Sequence, residues 1–273
     1  MRRKTIENPV ELKGIALHSG KEAMVSFRPA QQESGIIFIR TDLPGKPMIK
    51  ASAENVIDTK RGTTLGQGQA SIAVVEHVLA CLYALSISDI VIEVSGPELP
   101  CLDGSALPFF AALKEAGTAE LTGDIPPLKL AKEIVVLDGE SVITACPSDR
   151  LKIRFMVDFT DAVVKKQEIS FTFDEQAFEK EIAAARTFGF VEEIDALKKM
   201  GLALGASLDN ALAIGKDGYV NKPRFKDEVV RHKVLDLIGD LSLVGRPIEA
   251  EILAERSSHR LNTKLALALK KEK

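Results

Sequence analysis

The chain is poor in the residues that most often mark a function. In 273 residues it holds four histidines, His18, His77, His232 and His259, and three cysteines, Cys81, Cys101 and Cys146. The cysteines are odd in number, far apart and form no CxxC, which argues against a disulfide framework and fits a reducing cytosol. No stretch approaches the roughly 18 apolar residues of a membrane span. The opening MRRKTIENPVELKG lacks the apolar core of a secretory signal, so a cytoplasmic protein is expected. There is no basic block and no RNP-like aromatic run, and the formal net charge is −3, which disfavours nucleic acid as a partner. What is present is 45% hydrophobic residues, ample for a packed core and for more than one domain. Any histidine-based site must draw on those four side chains.

Apolar or alternating runs predict strands over 4–14, 22–28 and 35–40, with His18 in the LHSG turn after the first. Residues 48–65 are mixed, with a polar turn at DTKRGTT. A helix over 71–87 and a strand over 89–94 follow, and the loop GPELPCLDGSALPFF feeds a helix through Lys114. Residues 117–127 carry Gly123, Pro126 and Pro127 and form the expected boundary between domains 1–123 and 124–273. Strands at 128–137, 141–147, 151–158 and 168–173 then precede a helix at 175–185. Residues 185–215 look like an insertion, with a short helix at 192–200 and a strand near 211–214. A long helix at 226–243, a strand at 249–255 and a final helix to about Leu269, capped by Ser257 and Ser258, complete the chain. Each half thus runs strands, long helix, strand, short helix. If the halves pack about a pseudo-twofold axis, the long helices face each other and a pocket falls between the domains.

The two long helices carry unusual polar groups. In RHKVLDLIGDLSLVG, His232, Asp236 and Asp240 follow at i, i+4, i+8 on one side, Lys233 sits at the edge of that stripe, and Val234, Leu235, Leu237, Ile238 and Leu241 take the opposite arc. An ordinary surface helix with a polar face has this pattern. So does a metal platform, because His and Asp four apart reach one ion. SIAVVEHVLACLYALSI is apolar nearly all round, as in a buried helix, yet holds Glu76 and His77 beside Ala73 and Ala80. Either local hydrogen bonds satisfy that pair in the core, or small neighbours open a polar site there.

His77, His232 and Asp236 make a two-histidine, one-carboxylate set, the donor pattern of a catalytic zinc that keeps a fourth position for water. Glu76, next to a ligand, is then the candidate base for that water. His259 is the remaining candidate acid for a leaving amine, with Asp240 to hold its imidazole in one tautomer. Iron suits such a set as well as zinc.

EHVLACLYAL, LDGSALPF, ARTFGF, SLDNAL, RHKVLDLIGDL and HRLNTKL occur in this order. They resemble the UDP-3-O-acyl-N-acetylglucosamine deacetylases, zinc amidases of lipid A biosynthesis, over nearly the whole chain. The resemblance implies His77, His232 and Asp236 as zinc ligands, Glu76 as base, and His259 with Asp240 as the second catalytic group. It further implies that Lys233 holds polar groups of the substrate and that Thr187 steadies the oxyanion. Phe188 and the insertion would line a passage for the acyl chain, His18 would border the site, and Phe159 would contact the nucleotide. The family often has a glycine pair where this chain has Ser257 and Ser258, which bears on the mobility of the loop before His259.

The fold implied is α+β: two similar domains, each a mixed β-sheet with helices, the helices sandwiched between the two sheets, and a small insertion in each domain. The activity implied is zinc-dependent removal of the N-acetyl group from a UDP-linked, 3-O-(hydroxyacyl)ated glucosamine, releasing acetate, the committed step of lipid A biosynthesis. One catalytic Zn2+ per chain, a monomer and at most transient contact with a membrane are expected. Two rivals are a zinc amidase or esterase acting on another acylated sugar and a non-catalytic nucleotide- or lipid-binding protein on the same scaffold. The intact set of Glu76, His77, His232, Asp236 and His259 argues against the second, since a binding module needs no base and acid.

Overall fold

The computed structural model describes residues 1–159 and 163–272. In the first half, strands Val10–Ile15 (β1), Glu22–Pro29 (β2), Ile36–Arg40 (β3) and Met48–Lys50 (β4) lead to helix Glu76–Ala84 (α1), strand Ile90–Val94 (β5) and helix Leu107–Glu115 (α2). In the second, strands Ile134–Asp138 (β6), Ser141–Pro147 (β7), Lys152–Phe159 (β8) and Lys165–Thr172 (β9) lead to helix Glu228–Ser242 (α3), strand Ile248–Glu255 (β10) and helix His259–Leu269 (α4). The sheet orders are β1-β2-β5-β3-β4 and β6-β7-β10-β8-β9. Along each of these paths one pairing is parallel, β5 with β3 and β10 with β8, and the others are antiparallel. The weak repeat of pattern is therefore a repeat of topology.

Each sheet buries one face. In β5, Ile90, Ile92 and Val94 point inward, and in β8, Ile153, Phe155 and Val157 do so while Arg154 faces solvent. The long helices are buried on nearly every side: in α1 all but Tyr83, in α3 all but Arg231 and Lys233. A helix with no solvated face must lie between layers, and one continuous core joins side chains of both sheets to both helices. The helices are sandwiched as expected. They touch at Gly239, where an added Cβ would collide with the carbonyl oxygen of Glu76.

Several boundaries differ from expectation. The strand expected at 4–14 is two, Arg2–Ile6 and Val10–Ile15, broken around Pro9, which has no N–H to donate. Arg2–Ile6 pairs with Thr118–Asp124, so most of the segment 117–127, expected as the domain boundary, is a strand. The helix expected from 71 starts only at Glu76. Ala70–Ile72 belongs to a small antiparallel sheet with Val56–Asp58 and Thr64–Gln67, and Val74 is held at φ +61, a conformation that no helix continues through and that β-branched residues avoid. Glu76 thereby lands in a first helical turn, where the helix dipole favours a carboxylate. In the second half, Phe188–Phe190 pairs in parallel with Leu212–Ile214 around the short helix Ile194–Lys199. Both insertions occupy the same topological place, between the fourth strand and the long helix. Among the described residues no helix is long and apolar enough to cross a membrane.

Candidate active site

The polar face of α3 does not meet solvent. His232, Asp236 and Asp240 are buried against the first turn of α1, which carries Glu76 and His77. His77 Nε2 and His232 Nε2 lie 3.7 and 3.4 Å from the same oxygen, Asp236 Oδ1, and the two rings meet edge-on with centroids 5.0 Å apart. The donor atoms of His77, His232 and Asp236 all fall within 4.8 Å of one another. Asp236 Oδ1 is one of two buried side-chain polar atoms among the described residues with no hydrogen-bond partner. A buried carboxylate oxygen left bare beside two imidazole nitrogens fits a cation.

Glu76, Asp236 and His259 form a second compact set. It is the poorer home for a metal, because Asp236 Oδ2 already accepts from Lys233 Nζ at 2.7 Å and His259 Nδ1 is bound to Asp240. The tautomer of His232 is set by Nδ1–H donating to the Ala185 carbonyl at 3.1 Å, which presents Nε2 to the cluster. Burial, with help from His77 and Lys233 and against Asp236, pulls the His232 imidazole down to about 4, so it stays neutral. Burial opposes the charge on Asp236, yet His232, Lys233 and His259 hold its carboxyl well below the usual range.

Glu76 and His259 sit on the other side of Asp236. Burial raises the Glu76 carboxyl above its ordinary value, with His259 and His77 pulling the other way. His259 Nε2 lies 4.0 Å from Glu76 Oε1 and 3.7 Å from Asp236 Oδ2, while Nδ1 donates to Asp240 Oδ2 at 2.9 Å. Burial lowers the His259 imidazole, but Asp240, Asp236 and Glu76 outweigh it and raise it to about 9. Ser258 caps α4 by accepting from the Leu261 N–H, and Ser257 Oγ donates to Asn262 Oδ1 at 2.6 Å. The serine pair thus ties down the entry to the helix that carries His259.

Around this cluster is a cavity of about 340 Å³ bordered by Arg61, Thr187, Phe188, Phe190, Lys233 and Ser258. It runs into a second, mainly apolar cavity of about 420 Å³, which shares Thr187, Phe188 and Phe190 and is walled by Ile194, Leu197, Leu208 and Leu212 of the insertion. Phe159 packs edge-on against Phe188 at 6.1 Å and at a tilt against Phe190 at 5.5 Å, joining β8 to the mouth of this passage. Lys233 Nζ lies 5.7 Å from the centre of the Phe188 ring. His18 lies beside the apolar passage rather than the histidine cluster. Its Nδ1 accepts from the Ala203 N–H at 3.4 Å and its Nε2 donates to the Arg61 carbonyl at 3.1 Å. A larger cavity of about 490 Å³ lies at the opposite ends of α1 and α3, lined in part by Tyr83, Arg246 and Lys270.

The sequence reading missed three participants. Thr63, in the turn read only as polar, is fully buried between Glu76 and Asp240. Asn262 donates to Asp240 Oδ2 at 2.9 Å, and its spacing of i+3 from His259 is a signal that one helix face carries both. Glu98 accepts the backbone N–H groups of His18 and Ser19 and so shapes the LHSG turn.

Residues 3–271 match the family model described as UDP-3-O-acyl N-acetylglycosamine deacetylase. The chain is 42% identical over 271 residues to the UDP-3-O-acyl-N-acetylglucosamine deacetylase of Citrifermentans bemidjiense, covering 98% of this chain and 89% of the relative. It is 40% identical over 266 residues to the enzyme of the same name from Leptospira biflexa, covering 97% and 88%. With that of Helicobacter hepaticus it shares 39% over 264 residues, covering 96% and 88%. A match of this extent, over both halves and both insertions, shows that the chain belongs to the UDP-3-O-acyl-N-acetylglucosamine deacetylase family.

Proposed function

We propose that this chain is a zinc-dependent deacetylase that hydrolyses the N-acetyl group of UDP-3-O-acyl-N-acetylglucosamine and releases acetate. In this reading residues 1–123 and 124–273 are its two domains, and it works as a cytoplasmic monomer with at most transient contact with a membrane. The observation that carries the proposal is the bare, buried Oδ1 of Asp236 facing the Nε2 atoms of His77 and His232 at the head of an apolar passage.

His77, His232 and Asp236 would hold the zinc, which when bound supplies Lewis acidity to an amide carbonyl and to water. Glu76, which burial has made a better proton acceptor, takes the proton of the attacking water. The oxygen of that water bonds to the acetyl carbon, and the Thr187 hydroxyl and protonated His259 support the oxyanion that forms. His259, held protonated near neutral pH by Asp240, then gives its Nε2 proton to the nitrogen as the C–N bond breaks. Lys233 balances the charge of Asp236 and faces polar groups of the substrate. Phe188, Ile194, Leu197 and Leu212 take the acyl chain, His18 steadies the wall of that passage, and Phe159 contacts the nucleotide.

The test is zinc content per chain after dialysis, together with acetate release, for the wild type, Asp236→Ala and Glu76→Gln. The wild type should retain about one zinc, and Asp236→Ala should lose it. Glu76→Gln should keep the metal and lose about 100- to 10,000-fold in kcat. Folded wild-type protein that binds the UDP-sugar without turnover would make the chain a binding protein instead.

A further inference from the structure

Three consecutive residues of the first insertion thread between the passage and the acid–base groups. Arg61 forms an ion pair with Glu193 of the second insertion at 2.8 Å, and its carbonyl accepts from His18. Gly62 lies so near Glu76 that an added Cβ would come within 3.1 Å of Oε1. Thr63 goes further and contacts both catalytic partners. Its backbone N–H donates to Glu76 Oε2 at 2.9 Å, and its hydroxyl donates to Asp240 Oδ1 at 2.5 Å. The same hydroxyl oxygen lies 3.3 Å from His259 Nδ1.

We propose that Thr63 is a positioning residue that locks Glu76 and the Asp240–His259 pair into one frame, across the seam between the two halves of the chain. The inference rests on the roles given above to Glu76 and His259. A threonine hydroxyl has one proton to give. Here Asp240 takes it, so the hydroxyl offers only a lone pair toward Nδ1. His259 Nδ1 must therefore carry its own proton, which it shares with Asp240 Oδ2. Asn262 donates to that same oxygen. Both oxygens of Asp240 are then engaged, its carboxylate plane has little freedom to turn, and the His259 ring is fixed with Nε2 toward Glu76 and Asp236. The other end of the device is rigid because the donor to Glu76 is backbone rather than side chain. Thr63 itself has no solvent-exposed surface, and its carbonyl accepts from the Val75 N–H at the start of α1. Base and acid belong to different halves, on α1 and α4, and Thr63 bonds to the one, Glu76, through its backbone N–H and to the support of the other, Asp240, through its hydroxyl.

The experiment compares wild type, Thr63→Val, Thr63→Ser and Glu76→Gln as zinc-loaded full-length protein, measuring kcat, KM, zinc content and Tm. Thr63→Val keeps the shape and the backbone donor but removes the hydroxyl. It should lose about 10- to 100-fold in kcat, the usual effect of removing a group that supports a catalytic side chain, with KM and zinc content unchanged. Thr63→Ser should recover most of kcat. With the His259 ring titrated to its neutral form, its ring-nitrogen NMR signals should show the Nδ1–H tautomer in wild type and Thr63→Ser, and a mixture of tautomers in Thr63→Val. Wild-type kcat in Thr63→Val, or equal losses in Thr63→Val and Thr63→Ser, would overturn the proposal, the latter by showing that the methyl group is what matters. If Thr63→Val fails to fold, the kcat and tautomer of Thr63→Ser decide, and a loss in either overturns it. Retained activity in Glu76→Gln would instead refute the assignment of the base on which the inference rests.

Discussion

Glu228 does no chemistry, yet it sets where the chemistry can happen. Its carboxylate accepts Arg186 Nε at 2.8 Å and Nη2 at 3.2 Å, and the backbone N–H groups of Arg186 and Arg224 at 3.0 and 2.5 Å. That holds the ARTFGF segment against the start of α3 and puts Thr187 and Phe188 beside the cluster. Burial alone would raise the Glu228 carboxyl, but the hydrogen bonds from Arg186 and Arg224 outweigh it and leave it below the ordinary glutamate value of 4.5. A pKa lower in the folded than in the unfolded state gives stability that is fully present above that value and is lost as pH falls below it. Glu228→Gln leaves Arg186 buried and unpaired. It should cost about 3–5 kcal/mol at neutral pH, and urea unfolding should show the gap to wild type closing below about pH 4.5. A gap that stays constant with pH would mean the carboxylate is not charged in the native state.

The contact between α1 and α3 depends on one missing side chain. In an isolated helix, alanine in place of Gly239 would be favourable by about 1 kcal/mol. Here the new methyl would meet the Glu76 carbonyl oxygen, and backbone cannot rotate aside as a side chain can. Overpacking of this kind costs about 1–3 kcal/mol, so sterics should win. Gly239→Ala should lower Tm by several degrees and reduce kcat as well, because the turn it pushes carries Glu76 and His77. A rise in Tm would show that the helices do not approach this closely. The same contact explains why the stripe of His232, Asp236 and Asp240 is not a solvated face: α1 covers it.

The two halves share a topology but have different uses. The first insertion brings Arg61 and Thr63 to the site, and the second builds the apolar passage. Small side chains such as Ala203, Ala211 and Ala213 keep that passage open. Ala213→Phe should obstruct it, lowering kcat/KM for a long-chain substrate by about tenfold or more while a short-chain analogue is affected much less. Equal losses for both would indicate damage to the centre itself rather than to the passage. The 490 Å³ cavity at the far end of the helices has no histidine among its lining residues, so volume alone does not mark where reaction occurs.

The sequence alone was enough to pick out the side chains that meet in the cluster: His77, His232 and Asp236, with Glu76, His259 and Asp240 beside them. The i, i+4 spacing of His232 and Asp236 and the burial of a Glu–His pair in an apolar helix are local signals, and the ordered motifs supplied Thr187 and Phe188. The two-domain α+β plan was legible for the same reason, since period and turn residues act over short range. Three things were not. The start of α1 at Glu76 depends on Val74 being held at φ +61 by its surroundings, where the apolar run from residue 71 reads equally as helix or strand. Thr63 looked like one more turn residue, because what distinguishes it is burial against Asp240, which lies 177 positions away in the chain. And whether the polar stripe of α3 meets solvent or is buried was decided only by what packs on it, since a helix's own sequence records which residues share a face but not what that face meets.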